Sequence, residues 1–248
     1  MASFELLDRA ADGFQTRLRL VTDAQRTLPT PCPEFNVHDL VAHQVRGMRI
    51  YTLLLHGAAR EVVAKEQDSD IGSDDWVGAF RGAYQVMREG FGAPGALERT
   101  VAHPGMGEIP ATMLFDLRLG ELAVHGWDLA RAIGADDTID PDVVAALWAF
   151  AEPLSGMLPS TGYFSSPSGD VPDTAPMQTR LLDLLGRRPL RGISEPVSAS
   201  LDAATRRAYL PIRTLRGQHQ APSSRVRIRR SALGLTLQGS RDSTRTEG

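Results

Sequence analysis

From Phe4 to about Arg26 apolar side chains return at helical spacing, at Phe4, Leu7, Ala11, Phe14, Leu18 and Val21, until the proline-rich run from Leu28 to Pro33 ends the pattern. A second stripe, the clearest in the chain, runs through Val37, Leu40, Val41, Val45, Met48, Tyr51 and Leu55 to Gly57. Asn36 stands before it as an N-cap, with Asp39 three residues on in the manner of a shortened capping box. A third helix is expected from Ser73 or Asp74 through Trp76, Phe80, Tyr84 and Met87 to Gly90, and residues 61–72 before it read as an exposed connection. Pro110 suits the first turn of a fourth helix, from Ala111 to about Ile133, closed by Gly134. A fifth is expected from Asp140, with Pro141 at its first position, to about Leu154, and a short last one from Met177 to Leu185 ends at Gly186.

Sheet signals are sparse. Glycine and proline around Thr100-Val-Ala-His103 point to a turn or small hairpin near 98–110, and nothing else before residue 190 reads as strand. The pattern therefore predicts an all-α fold: an antiparallel bundle of four main helices with short extra helices and that hairpin. Residues 159–176 form a loop long enough to be kept for function, and with 92–110 they are candidates to rim a site.

Composition changes the picture at one end. The chain has 248 residues and 42% apolar content, enough for a sizeable core over residues 1–190. From Gly192 onward ten arginines face four acidic residues, a balance of +6, which leaves −9 of the net −3 for residues 1–191. Residues 191–248 thus read as an Arg/Ser/Thr-rich tail, partly disordered or weakly structured. Its run Val226-Arg-Ile-Arg-Arg230 raises nucleic acid as a partner. The tail has Tyr209 as its one aromatic residue and the rest of the chain is acidic, so that reading is set aside. Cys32 is the single cysteine, so no intrachain disulfide forms, and no signal-like or membrane-spanning run is present. The expected location is the cytoplasm.

The fourth helix carries the candidate chemistry. In Gly120-Glu-Leu-Ala-Val-His-Gly-Trp-Asp-Leu-Ala-Arg131 the glutamate and histidine stand one turn apart, about 40° around the axis. Leu114, Leu117 and Asp128 share that stripe, so Glu121 and His125 are expected to face inward, with Arg118 and Arg131 toward the edges and Trp127 in packing. An inward Glu-x-x-x-His pair is either an i,i+4 hydrogen-bonded couple that steadies the helix or two ligands of a metal completed from a facing helix. The second helix offers His43, with Gly47 one turn on leaving space above its ring. His38, in the first turn, reads as solvated. Two histidines and a carboxylate suit Zn(II), and equally Fe(II), Ni(II) or Mn(II), and three protein ligands leave positions open for a guest. Asp128 reads as a residue that orients His125 or pairs with Arg9 or Arg49. Cys32 precedes His43 by eleven residues, about 10 Å of rise over the helical part, and reads as a buried, inert thiol rather than a ligand. His56 and His103 read as surface or loop histidines. The glycine-rich run 92–107 lacks the Lys-Ser/Thr ending of a phosphate loop.

The runs Pro31-Cys-Pro-Glu-Phe-Asn-Val-His-Asp-Leu-Val-Ala-His43, Gly120 to Arg131 and Leu181-Leu-Asp-Leu-Leu-Gly-Arg-Arg-Pro189 resemble the actinobacterial metal-binding proteins related to the N-terminal domain of mycothiol-dependent maleylpyruvate isomerase, which are bundles of the DinB-like type. The resemblance covers about residues 3–190. It implies a divalent metal, commonly zinc, on His43, Glu121 and His125, the same three residues reached from the helix pattern. It also implies thiol-dependent transfer or isomerisation, in which a low-molecular-weight thiol such as mycothiol binds at the metal and attacks an electrophilic small molecule. The sequence departs from the isomerase after residue 191, which puts maleylpyruvate itself in doubt. A non-catalytic module of the same fold that holds a metal or small ligand is the alternative. A homodimer is a possible assembly.

Overall fold

The computed structural model describes residues 3–72, 74–161 and 164–188. The expected tail, 191–248, lies outside them. Among the described residues the chain is helical apart from one two-stranded hairpin, in agreement with an all-α, DinB-like bundle. None of the helices among the described residues is long and apolar enough to cross a membrane.

The elements follow in chain order: α1 (Phe4–Leu18), α2 (Val37–Leu55), α3 (Arg60–Gln67), α4 (Trp76–Gly92), the hairpin β1 (Thr100–His103) and β2 (Gly107–Pro110), α5 (Ala111–Ile133), α6 (Pro141–Ala151) and α7 (Met177–Leu184). The four long helices α1, α2, α4 and α5 close a ring: α1 packs on α5 and α4, and α2 packs on the same two. The apolar stripes read from the sequence line its interior, with Leu7, Phe14, Leu40, Val45, Met48, Phe80, Met87 and Leu114 all buried. Phe14 of α1 stacks on Phe80 of α4 at 4.8 Å between ring centroids, which fixes that pair of helices face to face.

Local chemistry sets the helix ends. Asn36 Oδ1 accepts the Asp39 amide at 2.9 Å, the expected N-cap of α2. The α4 cap is Asp75, which accepts the Gly78 amide at 2.7 Å, one position after Asp74; Ser73 lies outside the described residues. Gly134 closes α5 with a left-handed φ of 71°, as read from the sequence. The hairpin pairs Val101 with Ile109 on its buried face.

Two expectations are corrected. The first helix stops at Leu18 although Val21 keeps the period, because Thr22 starts a competing turn. Its amide and hydroxyl both donate to Gln25 Oε1 at 3.0 Å, and a short 3₁₀ turn follows from Asp23 to Gln25. Residues 61–72, expected as an exposed connection, contain α3. Val63 is the one buried residue of that helix, too little for a stripe to show in the pattern.

Candidate metal centre

Helix α2 brings in His43 and α5 brings in Glu121 and His125. His43 Nε2 lies 2.8 Å from Glu121 Oε2, and His125 Nε2 lies 3.3 Å from the same oxygen. One ligand atom from each of the three residues falls within 4.8 Å of the other two. The imidazoles meet at 77° with centroids 5.1 Å apart, so both Nε2 atoms converge on the carboxylate. Phe35, just before the α2 cap, stacks on His43 at 4.9 Å and meets His125 edge-on at 6.2 Å, fixing both ring planes.

The two faces of His125 differ. On one face its neighbours are open to solvent, with the His43 and Glu121 side chains each 35% exposed. On the other, His125 Nδ1 lies 2.9 Å from Asp128 Oδ2, and Asp128 is fully buried. Arg187 grips that carboxylate with both ends of its fork, Nε to Oδ1 at 2.9 Å and Nη2 to Oδ2 at 2.7 Å. A carboxylate at Nδ1 assigns the hydrogen there and leaves Nε2 to face Glu121 and His43.

The titrations follow the same division. Burial acts most strongly on Asp128, raising it, yet Arg187 and His125 outweigh burial and hold its carboxyl below the ordinary range. Burial likewise opposes ionisation of Glu121, and the two imidazoles beside it nonetheless hold it well below the usual carboxylate value. His43 is pushed down by burial. For His125 burial acts downward, and the hydrogen bonds to Asp128 and Glu121 carry it above its ordinary value.

These residues fit a divalent cation. Two imidazole nitrogens and one carboxylate oxygen face a common point, the tautomer of one ring is fixed from behind, and the solvent side leaves room for further ligands. A second grouping, Cys32 with His125 and Asp128, lies on the sealed side. It is a poorer donor set, because Arg187 occupies both Asp128 oxygens and burial pushes the Cys32 thiol far up, keeping it protonated.

The structure corrects several readings around this cluster. Asp128 pairs with Arg187; Arg9 instead reaches Glu5, Asp140 and Asp142, and Arg49 reaches Glu66. Cys32 is buried as expected but comes beside His125, because the chain folds back between a Pro29–Asn36 bridge and a Thr30 hydroxyl that donates to the Phe35 carbonyl at 2.8 Å. Arg118, expected at the edge of the stripe, is 1% exposed. Its Nη2 donates to Gln44 Oε1 at 2.7 Å, and Gln44 Nε2 lies 3.4 Å from Glu121 Oε2. Gly47 leaves room for that guanidinium and not for a guest, since a Cβ there would meet Arg118 Nη1 at 2.7 Å. His38 and His56 are exposed, as expected. His103 is half-buried on β1, edge-on to Tyr51 at 6.5 Å.

Sequence reasoning thus passed over Arg118, Gln44, Phe35 and Arg187. Arg118 had a signal, since it stands seven residues, two full turns, before His125 on the same stripe. Arg187 had none in its spacing: it is 59 residues from Asp128 and reaches the core through the left-handed turn at Gly186, φ 77°, where a side chain would strike the Ser165 backbone at 2.8 Å.

Residues 7–130, half of the chain, match the family described as the mycothiol maleylpyruvate isomerase N-terminal domain. The chain belongs to this family. The matched segment contains His43, Glu121, His125 and Asp128 and ends before Arg187. Two proteins of Mycobacterium tuberculosis, the uncharacterized protein MT0763 of strain CDC 1551 and the uncharacterized protein Rv0738 of strain ATCC 25618, are each 32% identical over 148 residues, covering 60% of this chain and 76% of theirs. No solved structure matches the chain significantly.

Proposed function

We propose that this member of the family holds a divalent metal, zinc in the first instance and nickel, iron or manganese otherwise, on His43, Glu121 and His125, and uses it to react a mycothiol-like thiol with an electrophilic small molecule. The observation that carries the reading is the convergence of His43 Nε2 and His125 Nε2 on one oxygen of Glu121 from two separate helices, on a face open to solvent. A divalent ion held there by His43, Glu121 and His125 would lower the pKa of a thiol and polarise a carbonyl, the chemistry such ions supply in other open sites.

The chain's own residues prepare that chemistry. Asp128, gripped by Arg187, holds the His125 hydrogen on Nδ1 and directs Nε2 at the site. Phe35 locks the two ring planes and covers His43 with an apolar face. Glu121 remains ionised, so its Oε2 is available without a competing proton. The exposed side of His43 and Glu121 is where a thiol and its partner molecule would approach. In the transfer, the thiol sulfur bonds to the electrophilic carbon as a leaving group departs with its electron pair and the thiol proton passes to solvent, or the sulfur adds across a double bond whose far carbon takes up a proton. The reaction belongs in the cytoplasm, where small thiols are held reduced.

The test is conjugation of mycothiol to a chromogenic aryl halide by the zinc-loaded full chain. Turnover well above that of chelator-treated protein and of His43→Ala is expected. Stoichiometric zinc without any acceleration would overturn the catalytic reading in favour of a metal- or ligand-binding module of the same fold.

A further inference from the structure

Arg118 is the largest fully buried side chain among the described residues, and it carries a full charge. Its environment is built to receive it: Gln44 accepts its Nη2 hydrogen at 2.7 Å, the Tyr51 ring lies 5.2 Å from its guanidinium carbon, and Gly47 supplies the space that any side chain would fill. Its Nε has no hydrogen-bond partner among the described residues, an uncommon cost for a buried cation. The nearest acid is Glu121, whose Oε2 lies 3.6 Å from Nη2 and already receives both imidazoles. A residue serving packing alone would be apolar here, as buried ion pairs stabilise less than well-fitted hydrophobic side chains.

Asp128 is offset by Arg187, and Glu121 is offset by Arg118. With neutral imidazoles the four ionised groups cancel, so a divalent cation seated among them would keep its whole charge of +2. Counting Glu34, which reaches Cys32 on the sealed side, leaves +1. Without Arg118 the Glu121 carboxylate would remove one unit from that total. A partly buried excess of positive charge favours a negatively charged ligand over a neutral one at the open positions.

We propose that Arg118, held by Gln44 beside Glu121, is a specificity-determining residue that makes the open positions of the site prefer an anionic ligand to a neutral one. The inference rests on metal binding at His43, Glu121 and His125. Arg118 acts through the charge it contributes and through the fixed placing of Glu121, and it touches the guest only through that field.

The experiment uses the full chain loaded with Co(II), whose visible spectrum reports ligands entering the open positions. Titration with thiocyanate and with imidazole gives the ratio of anionic to neutral affinity for the native chain, Arg118→Met and Gln44→Glu. Both variants lower the local charge by one, the second while keeping the shape that Arg118 packs against. The ratio is expected to fall about tenfold in each, between what one charge is worth in bulk water and in a protein interior at this range. Arg118→Lys should restore most of it, which a purely structural role would not predict. An unchanged ratio in either variant that still loads cobalt overturns the inference. Failure of the native chain to take up cobalt would instead overturn the metal site beneath it.

Discussion

His125 has two sides, and they are built on opposite principles. Toward solvent it meets Glu121 and His43, whose side chains keep about a third of their surface exposed and whose polar atoms converge on one point. Toward the core it meets Asp128 and Arg187, at 0% and 7% side-chain exposure, with each Asp128 oxygen engaged by the guanidinium fork. The sealed side spends its polar groups on one another and is suited to fixing a geometry. The open side leaves polar groups facing each other and is suited to receiving a cation. One histidine joins them, so the rigidity of one side becomes the precision of the other.

Breaking the sealed side should have the largest effect. Arg187→Met leaves Asp128 buried without its cation and is expected to cost about 3–5 kcal/mol of stability, read from urea unfolding. Asp128→Asn removes the carboxylate charge that the buried Arg187 fork grips, so it too is expected to destabilise the fold, and it weakens the hold on the His125 ring. Its metal affinity is expected to fall about 10- to 100-fold in chelator competition. Gly47→Ala presses on Arg118 from α2 and should cost about 1–2 kcal/mol, the usual penalty of forcing a methyl into a filled core, with metal stoichiometry unchanged.

The smallest effect belongs to a surface copy of the sealed pair. Arg88 grips Asp8 in the same bidentate way, at 2.6 and 2.9 Å, but the two side chains are 41% and 38% exposed. Arg88, and with it Tyr84, holds the Asp8 carboxyl below its ordinary value of 3.8, against a contrary push from burial. A depressed carboxylate contributes stability that is present above its unfolded pKa and is lost as the pH falls through the folded one. Asp8→Asn should therefore flatten the unfolding free energy below about pH 4, by less than about 1 kcal/mol because solvent screens the pair. An acid-limb change as large as the Arg187→Met loss would mean that burial is not what separates the two pairs.

Much of this was legible in the chain. Pro110 and Gly134 bracket α5 where the structure starts and ends it, because a proline and a left-handed glycine act through the local backbone alone. His43, Glu121 and His125 were legible for a similar reason: helical periodicity places side chains on a face, and the short list of inward polar residues does the rest. What stayed hidden depends on distant partners. Arg118 reads as an edge residue until Gln44 and Gly47 of α2 are seen to receive it. Arg187 stands in a run that carries the resemblance, but nothing in its spacing ties it to Asp128 until the Gly186 turn delivers it there. Cys32 was set apart from His43 by the rise of the helical part between them, and the fold-back between Pro29 and Asn36 brings it against His125. Helix α3 was missed because a single buried valine has no period.

The central claim is that three side chains from α2 and α5 form one cation site, and calorimetric titration of zinc into the chelator-treated full chain tests it most directly. A single high-affinity equivalent in the native chain, lost in His43→Ala while the helical signal is retained, is the predicted result. Zinc binding that is absent from the native chain, or undiminished in His43→Ala, would contradict it.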